Sequence, residues 1–259
     1  MRHLTSLLLH DVYVTEPAES GFDDPLAHRY KIGRDEFDRL LEALDSEQPA
    51  VAVVASASGT LSTGVAVTVD DGGRSYATLV ADRLEARGWR GHAFVTTDMI
   101  GRPGFLTPAD LRDLDRRGHV IGTHSATHPQ RFSACPWDRM VREWTDSRAA
   151  LEDVLGRHVE VGSLPGGYLS RRVARAAAHA GLRVLFTSEP VSKPWSVDGC
   201  VLMGRFTVRP GESPAALAAL AAGSRAPWRR QRLMWTAKKL VKPVLGSAYP
   251  RLGAWMAAR

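Results

Sequence analysis

The strongest constraint on the fold of this 259-residue chain is a regular exchange of two periodicities. From the start to about residue 222, short apolar runs alternate with stretches whose apolar residues fall at helical spacing. Ser6–His10, carried by Leu7, Leu8 and Leu9, reads as a buried strand. Asp35–Leu44 places Phe37, Leu40, Leu41 and Leu44 on one helical face. Ala50–Thr63 turns from apolar to small and Ser/Gly-rich and reads as a loop. The β-branched run Val65–Val69 stops at Asp70-Asp71-Gly72-Gly73, and a helix follows over Ser75–Arg87, closed by Gly88. His92–Thr97 is the next strand. Thr107-Pro108-Ala109-Asp110 then supplies a capping hydroxyl, a first-turn proline and an acid, opening a helix that ends at Gly118. His119–Gly122, Val159–Leu164, Leu182–Thr187 and Val201–Val208 read as strands. Pro136–Leu155, Arg171–Ala180 and Pro214–Ala222 read as helices.

Such alternation predicts an α/β fold of parallel strands joined by helical crossovers. The count of units suits a distorted (β/α)7-type barrel better than an open sheet. Residues 1–222 would form the barrel and residues 223–259 a separate tail. Asp70-Asp71, His124, Pro165-Gly166 and Ser188-Glu189 each stand just after a strand. In a parallel barrel those positions converge on the C-terminal face, where active sites lie.

The charge is divided unevenly. The chain carries 34 Lys and Arg against 28 Asp and Glu, a formal net charge of +6. Nine of the basic residues and none of the acids lie in 224–259, which leaves 25 basic against 28 acidic residues in the body. The basic pI therefore does not argue that the body binds nucleic acid, and none is expected as a partner. The tail also holds Trp228, Trp235 and Trp255, and Leu233, Met234, Leu240 and Val241 lie between its basic residues. That pattern suits a basic amphipathic helix resting on an anionic membrane through residues 225–242, or one packed on the body. Cys135 and Cys200 make no disulfide framework and are expected as free thiols. The first residues show no secretory signal and no run approaches a spanning helix, so the expected location is the cytoplasm, with peripheral membrane contact through the tail.

Two motifs carry chemistry. Asp70-Asp71 precedes two glycines that permit a bend turning both carboxylates toward one cleft. His124-Ser125-Ala126-Thr127-His128 sets two imidazoles four residues apart, a spacing that one helical turn would present to the same ion. One Asp and two His are a common ligand set for a catalytic divalent metal. Taken singly, Asp-Asp-Gly is most often a turn, and a lone pair of histidines at this spacing is most often incidental. Both at strand ends of one α/β chain are not readily coincidental.

These segments resemble the polysaccharide deacetylase family (carbohydrate esterase family 4). Ala66–Gly72 looks like its first motif and His124–His128 like its second, while Leu164-Pro165-Gly166-Gly167-Tyr168 resembles a divergent third. The resemblance covers roughly residues 5–210. Leu7-Leu8-Leu9-His10-Asp11-Val12 looks like the opening strand of the poly-N-acetylglucosamine deacetylase branch, where the motif order is permuted. The resemblance implies that Asp71, His124 and His128 ligate a divalent metal. Zinc would be the first choice, with cobalt, nickel, iron or manganese as alternatives. It implies Asp70 as general base, and His10 as general acid because no histidine follows His179. Pro165, Gly166, Gly167 and Tyr168 would form the oxyanion and substrate-binding loop. Leu164 stands where many members have an arginine that orients the base, and Arg205 is a candidate to replace it.

The implied activity is hydrolytic removal of an N-acetyl group from an amino sugar, with acetate released. The substrate would be a glycan or, given the expected location, a lipid-linked or nucleotide-linked precursor. Tyr168, Trp195 and Phe186 are candidates to line the sugar site. Two other readings fit the same residues: a non-catalytic sugar-binding or scaffold protein, suggested by the missing arginine and late histidine, and a hydrolase of another linear amide.

Overall fold

A computed structural model describes residues 4–55 and 64–245, with side chains to residue 236. Part of the expected loop over 50–63 lies outside the described residues, as does Trp255. The strands are β1 (Leu4–Leu9), β2 (Val12–Tyr13), β3 (Ile32–Gly33), β4 (Gly64–Val69), β5 (His92–Val95) and β6 (Val120–Thr123). They continue as β7 (Val161–Ser163), β8 (Val184–Phe186), β9 (Trp195–Val197), β10 (Cys200–Met203) and β11 (Phe206–Thr207). The helices are α1 (Pro25–His28), α2 (Arg34–Asp45), α3 (Ala81–Glu85), α4 (Pro108–Arg116), α5 (Trp137–Leu155), α6 (Arg171–His179), α7 (Pro214–Ala221) and α8 (Ala226–Leu245).

Among the described residues, nine strands form one sheet in the order β11-β1-β4-β5-β6-β7-β8-β10-β9. Every pairing in it is parallel except β9 with β10. The sheet curls into a distorted barrel, and the chain itself shows why. β10 and β11 stand toward opposite ends of the order, yet only Gly204 and Arg205 separate them. Three Cα steps reach at most about 11 Å, so the two edges must approach each other. Val201–Val208, expected as one strand, is therefore two: the chain leaves β10 at Gly204 and crosses to pair with β1. A side chain at Gly204 would meet the Val191 and Glu189 carbonyl oxygens at 2.2 and 2.4 Å, so only glycine fits the crossing.

The crossovers bury Phe37, Leu40, Leu41 and Leu44 of α2, and Leu111 and Leu114 of α4. α4 opens on the capping box expected from Thr107 and Asp110. The helix expected over Ser75–Arg87 begins instead as a π-helical turn at Tyr76–Val80 before α3. Phe186 is fully buried against Phe94 and His92, so it belongs to the core and not to a sugar site. Cys135 and Cys200 are free and buried. No helix among the described residues is long and apolar enough to cross a membrane.

The start of α8 closes the barrel's edge. Trp228 packs edge-on against Phe206 and is 6% exposed. The Gln231 side-chain amide accepts from the Thr207 N–H at 2.9 Å and donates to the Thr207 carbonyl at 2.8 Å. One side chain thus supplies the pair of bonds that another strand would give the edge strand β11.

Candidate metal centre and catalytic cleft

The strand ends deliver the site. β1 and β4 are paired in register, Leu9 opposite Val69, and the Asp70 N–H donates to the Leu9 carbonyl at 3.0 Å. His10 and Asp70 are therefore the next residues on adjacent parallel strands, whose spacing is roughly 4.8 Å. After Asp70 the chain turns sharply: Asp71 has φ 78° and Gly72 φ 84°. A left-handed aspartate is uncommon and stands out as a strained, functional position. Ser125 (φ 66°) and His128 (φ 55°) share this conformation. His124 and His128 therefore do not sit on one helical turn, as their spacing suggested. They are carried by a tight loop.

That loop is pinned from α5. The buried Glu143 carboxylate accepts from the Thr127 N–H at 2.9 Å and the Thr127 hydroxyl at 2.6 Å. The Ser125 hydroxyl accepts the His128 N–H at 3.1 Å. His124 is oriented from β7: its Nδ1 donates to the Ser163 carbonyl at 2.9 Å. A carbonyl only accepts, so the proton is on Nδ1 and the Nε2 lone pair faces the cleft.

The Asp71, His124 and His128 donor atoms lie within 4.8 Å of one another. Asp71 Oδ1 is 3.4 Å from His124 Nε2 and 3.5 Å from His128 Nε2. This carboxylate oxygen is buried and has no hydrogen-bond partner among the described residues. A buried carboxylate oxygen without a partner is costly, and the Nε2 atoms of two imidazoles face the same point. The donor set therefore fits a divalent cation.

Asp70 is held quite differently. Arg205, fully buried, donates from Nη1 to Asp70 Oδ1 at 2.7 Å and from Nη2 to Oδ2 at 2.9 Å. Its remaining donors go to the Thr68 and Ser163 hydroxyls and the Thr187 carbonyl. The guanidinium lies over both the Phe94 and Phe186 rings, 5.8 and 5.9 Å from their centroids. Burial pushes the Asp70 carboxyl up, but Arg205 and then His124 outweigh it and hold it below the usual carboxylate range. Burial lowers His10 and His128, with the nearby carboxylates opposing. In His124 the same burial is outweighed by Asp70 and Asp71, and its pKa is raised. The structure thus puts an arginine from the β10–β11 crossing where Leu164 offered none.

His10 lies at the end of β1 with its ring 5.0 Å from that of Tyr30. Pro165, Gly166 and Gly167 follow β7 as a tight turn, with φ 68° at both glycines. A side chain on Gly166 would strike the Gln130 carbonyl at 2.6 Å, two residues beyond His128. Tyr168 is half-buried, with Arg131 5.8 Å from its ring centroid.

Several supporting residues carried no sequence signal. Phe22 packs its ring on His128 at 5.1 Å. Its loop is held by Lys31, whose buried Nζ donates to the carbonyls of Pro17, Ser20 and Phe22. Asp11 Oδ1 accepts from the Ser20 and Ser75 hydroxyls, both at 2.7 Å, tying that loop to the segment after Asp71. Burial raises the Asp11 pKa to about 6, against the two hydroxyl bonds and Lys31, with Asp71 adding to the rise. An unfolded aspartate ionises near 3.9, so folding resists ionisation of Asp11 as pH climbs from about 4 to about 6. Below that window the residue costs nothing. Above it the full penalty, about 3 kcal/mol, applies. Urea unfolding at pH 4 and pH 7 should show wild type losing about that much more stability across the window than Asp11→Asn. Parallel losses would contradict the assignment.

Comparison with known proteins bears on the family and the fold. Residues 58–185 match the sequence pattern of the family described as polysaccharide deacetylase. The Bacillus subtilis protein YxkH, provisionally described as a polysaccharide deacetylase, is 24% identical over 155 residues, 60% of this chain. The chain spans 55% of that protein's length. The structure of IcaB from Ammonifex degensii aligns with TM-score 0.66 at 20% identity, over 87% of this chain and 98% of that one. The Streptococcus pyogenes deacetylase PplD, solved with acetate, gives 0.65 at 18%, over 82% and 95%. A de-N-acetylase from Aggregatibacter actinomycetemcomitans gives 0.67 at 16%, over 80% and 95%. At these identities the structures establish the shared fold.

Proposed function

We propose, from the premise that the chain belongs to the polysaccharide deacetylase family, that it is a metal-dependent hydrolase removing the N-acetyl group of an amino sugar. One observation carries this reading: two adjacent buried carboxylates are prepared for different tasks. Asp70 has both oxygens engaged by Arg205, whereas Asp71 presents an unpartnered oxygen to two imidazole nitrogens.

Asp71, His124 and His128 would hold the cation, with zinc the first choice for one carboxylate and two imidazoles. When bound there, a divalent ion supplies Lewis acidity toward an acetyl carbonyl. Asp70, kept ionised by Arg205, takes the proton of the attacking water. Its Oδ2 lies 3.9 Å from His124 Nε2, so base and metal ligands face one small volume. The backbone of Pro165-Gly166-Gly167 allows close approach of the acetamide, free of side chains, and Gly166 N–H is assigned to the developing oxyanion. Tyr168 would flank the sugar.

The leaving amine is strongly basic and must be protonated as the C–N bond breaks. His10 is assigned as that acid because it is the next residue beyond the register that places Asp70 beside it. Burial keeps its imidazole neutral in the resting protein, so the proton must arrive during the reaction. His10→Gln is expected to lower kcat about a hundredfold on an N-acetyl sugar, the low end of general acid–base contributions. The loss should shrink with 4-nitrophenyl acetate, whose phenolate leaves without being protonated. An equal loss on both substrates would exclude the role.

The experiment that tests the function is acetate release from N-acetylhexosamine substrates after loading chelator-treated protein with zinc, cobalt or nickel. Release with metal and none without is expected. Metal binding without release from any amino sugar would favour the sugar-binding alternative. The tail reading is a proposal as well: Leu233 and Met234 of α8, 73% and 53% exposed beside Arg230, suit contact with an anionic membrane.

A further inference from the structure

A cavity lies outside the metal centre, between α8 and the segment joining β8 to β9. Its volume is about 790 Å³. Lys193, Arg225, Arg229 and Arg232 line it, and Glu189 is its one acid among the described residues. Arg225, Arg229 and Arg232 follow one another at four and three residues, so one face of the helix start turns three guanidinium groups to the same space. Among the described residues none of the four cations makes an ion pair. Clustered like charges repel, and they gain most from a ligand with several negative oxygens at close spacing, the chemistry that arginine forks match best.

The cavity adjoins the catalytic cleft. Leu169, directly after Tyr168, lines it. A side chain built on Gly167 would touch the Ser188 hydroxyl and the Trp235 ring, so the third-motif turn sits against both walls. The Glu189 carbonyl accepts the N–H of Arg205, the residue that holds Asp70. In an activated amino sugar the acetamido group and the glycosyl phosphate are on neighbouring ring carbons. A sugar whose acetamide reaches Asp70 must therefore place any phosphate within about one ring's width of it.

We propose that this cleft binds the glycosyl phosphate or diphosphate of an activated N-acetylated amino sugar. The inference rests on the deacetylase reading for the sugar, but the anion site stands on its own residues. The volume exceeds that of a phosphate and leaves room for part of the carrier, with the half-buried Trp195 in the wall.

The test separates the two. Inorganic pyrophosphate is titrated calorimetrically into wild type, Asp71→Asn and the double variant Arg229→Gln/Arg232→Gln, whose replaced side chains are exposed. Saturable binding is expected in wild type and Asp71→Asn, and at least tenfold weaker binding in the double variant, since a charge-assisted bond is worth roughly tenfold or more. Absence of saturable binding, or equal binding in all three proteins, overturns the site whether or not the protein is an enzyme. A second arm compares acetate release from a nucleoside-diphosphate N-acetylhexosamine, a polyprenyl-diphosphate N-acetylhexosamine and a neutral N-acetylhexosamine oligomer. The double variant should raise KM for the diphosphate carriers and leave the neutral oligomer unchanged, and the carrier with the larger change names the source. A third arm uses phosphatidylglycerol vesicles. If they bind through Arg229 and Arg232 while pyrophosphate does not, the arginines serve a membrane surface and the proposal fails.

Discussion

Arg205→Met is expected to cost about 3–5 kcal/mol of folding stability and most of the activity. Removing one partner of a buried ion pair strands the other in the interior, and that penalty governs the size of the effect. Here the stranded group is Asp70, 3% exposed, which would lose both guanidinium bonds at once. Thr68, Ser163 and Thr187 would lose a donor as well. With the charge gone, burial is left to raise the Asp70 carboxyl, so the base is protonated over more of the acid range and the acid limb of the pH–rate profile moves up. Arg205→Lys keeps a charge but not the fork, and should fall between. The double variant Arg205→Met/Asp70→Asn should lose less stability than the two single losses together, because each single loss strands a buried ion and the double variant leaves none. Urea unfolding of the four proteins measures this coupling, and strict additivity would refute the pairing.

Asp70→Asn and Asp71→Asn are adjacent substitutions with opposite expected signatures. Both oxygens of Asp70 are occupied by Arg205, and Oδ2 also accepts from the Ser163 hydroxyl at 3.0 Å. These bonds fill three of the carboxylate's four acceptor sites and leave one on Oδ1, enough to take a proton but a poor hold for an ion. Asp70→Asn should therefore keep its metal and lose hydrolysis by about 10²–10⁴, the span of general-base contributions. Asp71→Asn should lose the metal itself, by more than the 10–100-fold typical of removing an outer partner. Metal analysis and acetate release on both variants read the two effects separately. If both lose metal equally, the division of labour between the carboxylates is wrong.

Much of this was legible in the sequence because it depends on local pattern. The strand ends at Val69 and Thr123 placed Asp70-Asp71 and His124 on one face, and the glycines after Asp71 announced the turn. What sequence concealed is what depends on closure. Val201–Val208 reads as one apolar strand, and only the meeting of the sheet's edges breaks it at Gly204-Arg205 and drives Arg205 inward. The histidines' spacing matched a helical turn, whereas the loop conformation depends on Glu143, contributed by a helix some 15 residues on. Asp11, Ser20, Lys31 and Phe22 act through contacts distant in sequence from the second motif, and no spacing rule marks them. Trp228 and Gln231 lie in the basic tail, where composition hid one helix face made to pack on β11.

The most direct test of the central claim is a metal titration of acetate release. Chelator-treated protein is supplied with increasing zinc, and bound metal and acetate from an N-acetylated amino sugar are measured on the same samples. The account predicts no release without metal, and release that rises in proportion to bound metal until each chain holds one ion at Asp71, His124 and His128. Undiminished acetate release from metal-free protein would contradict it.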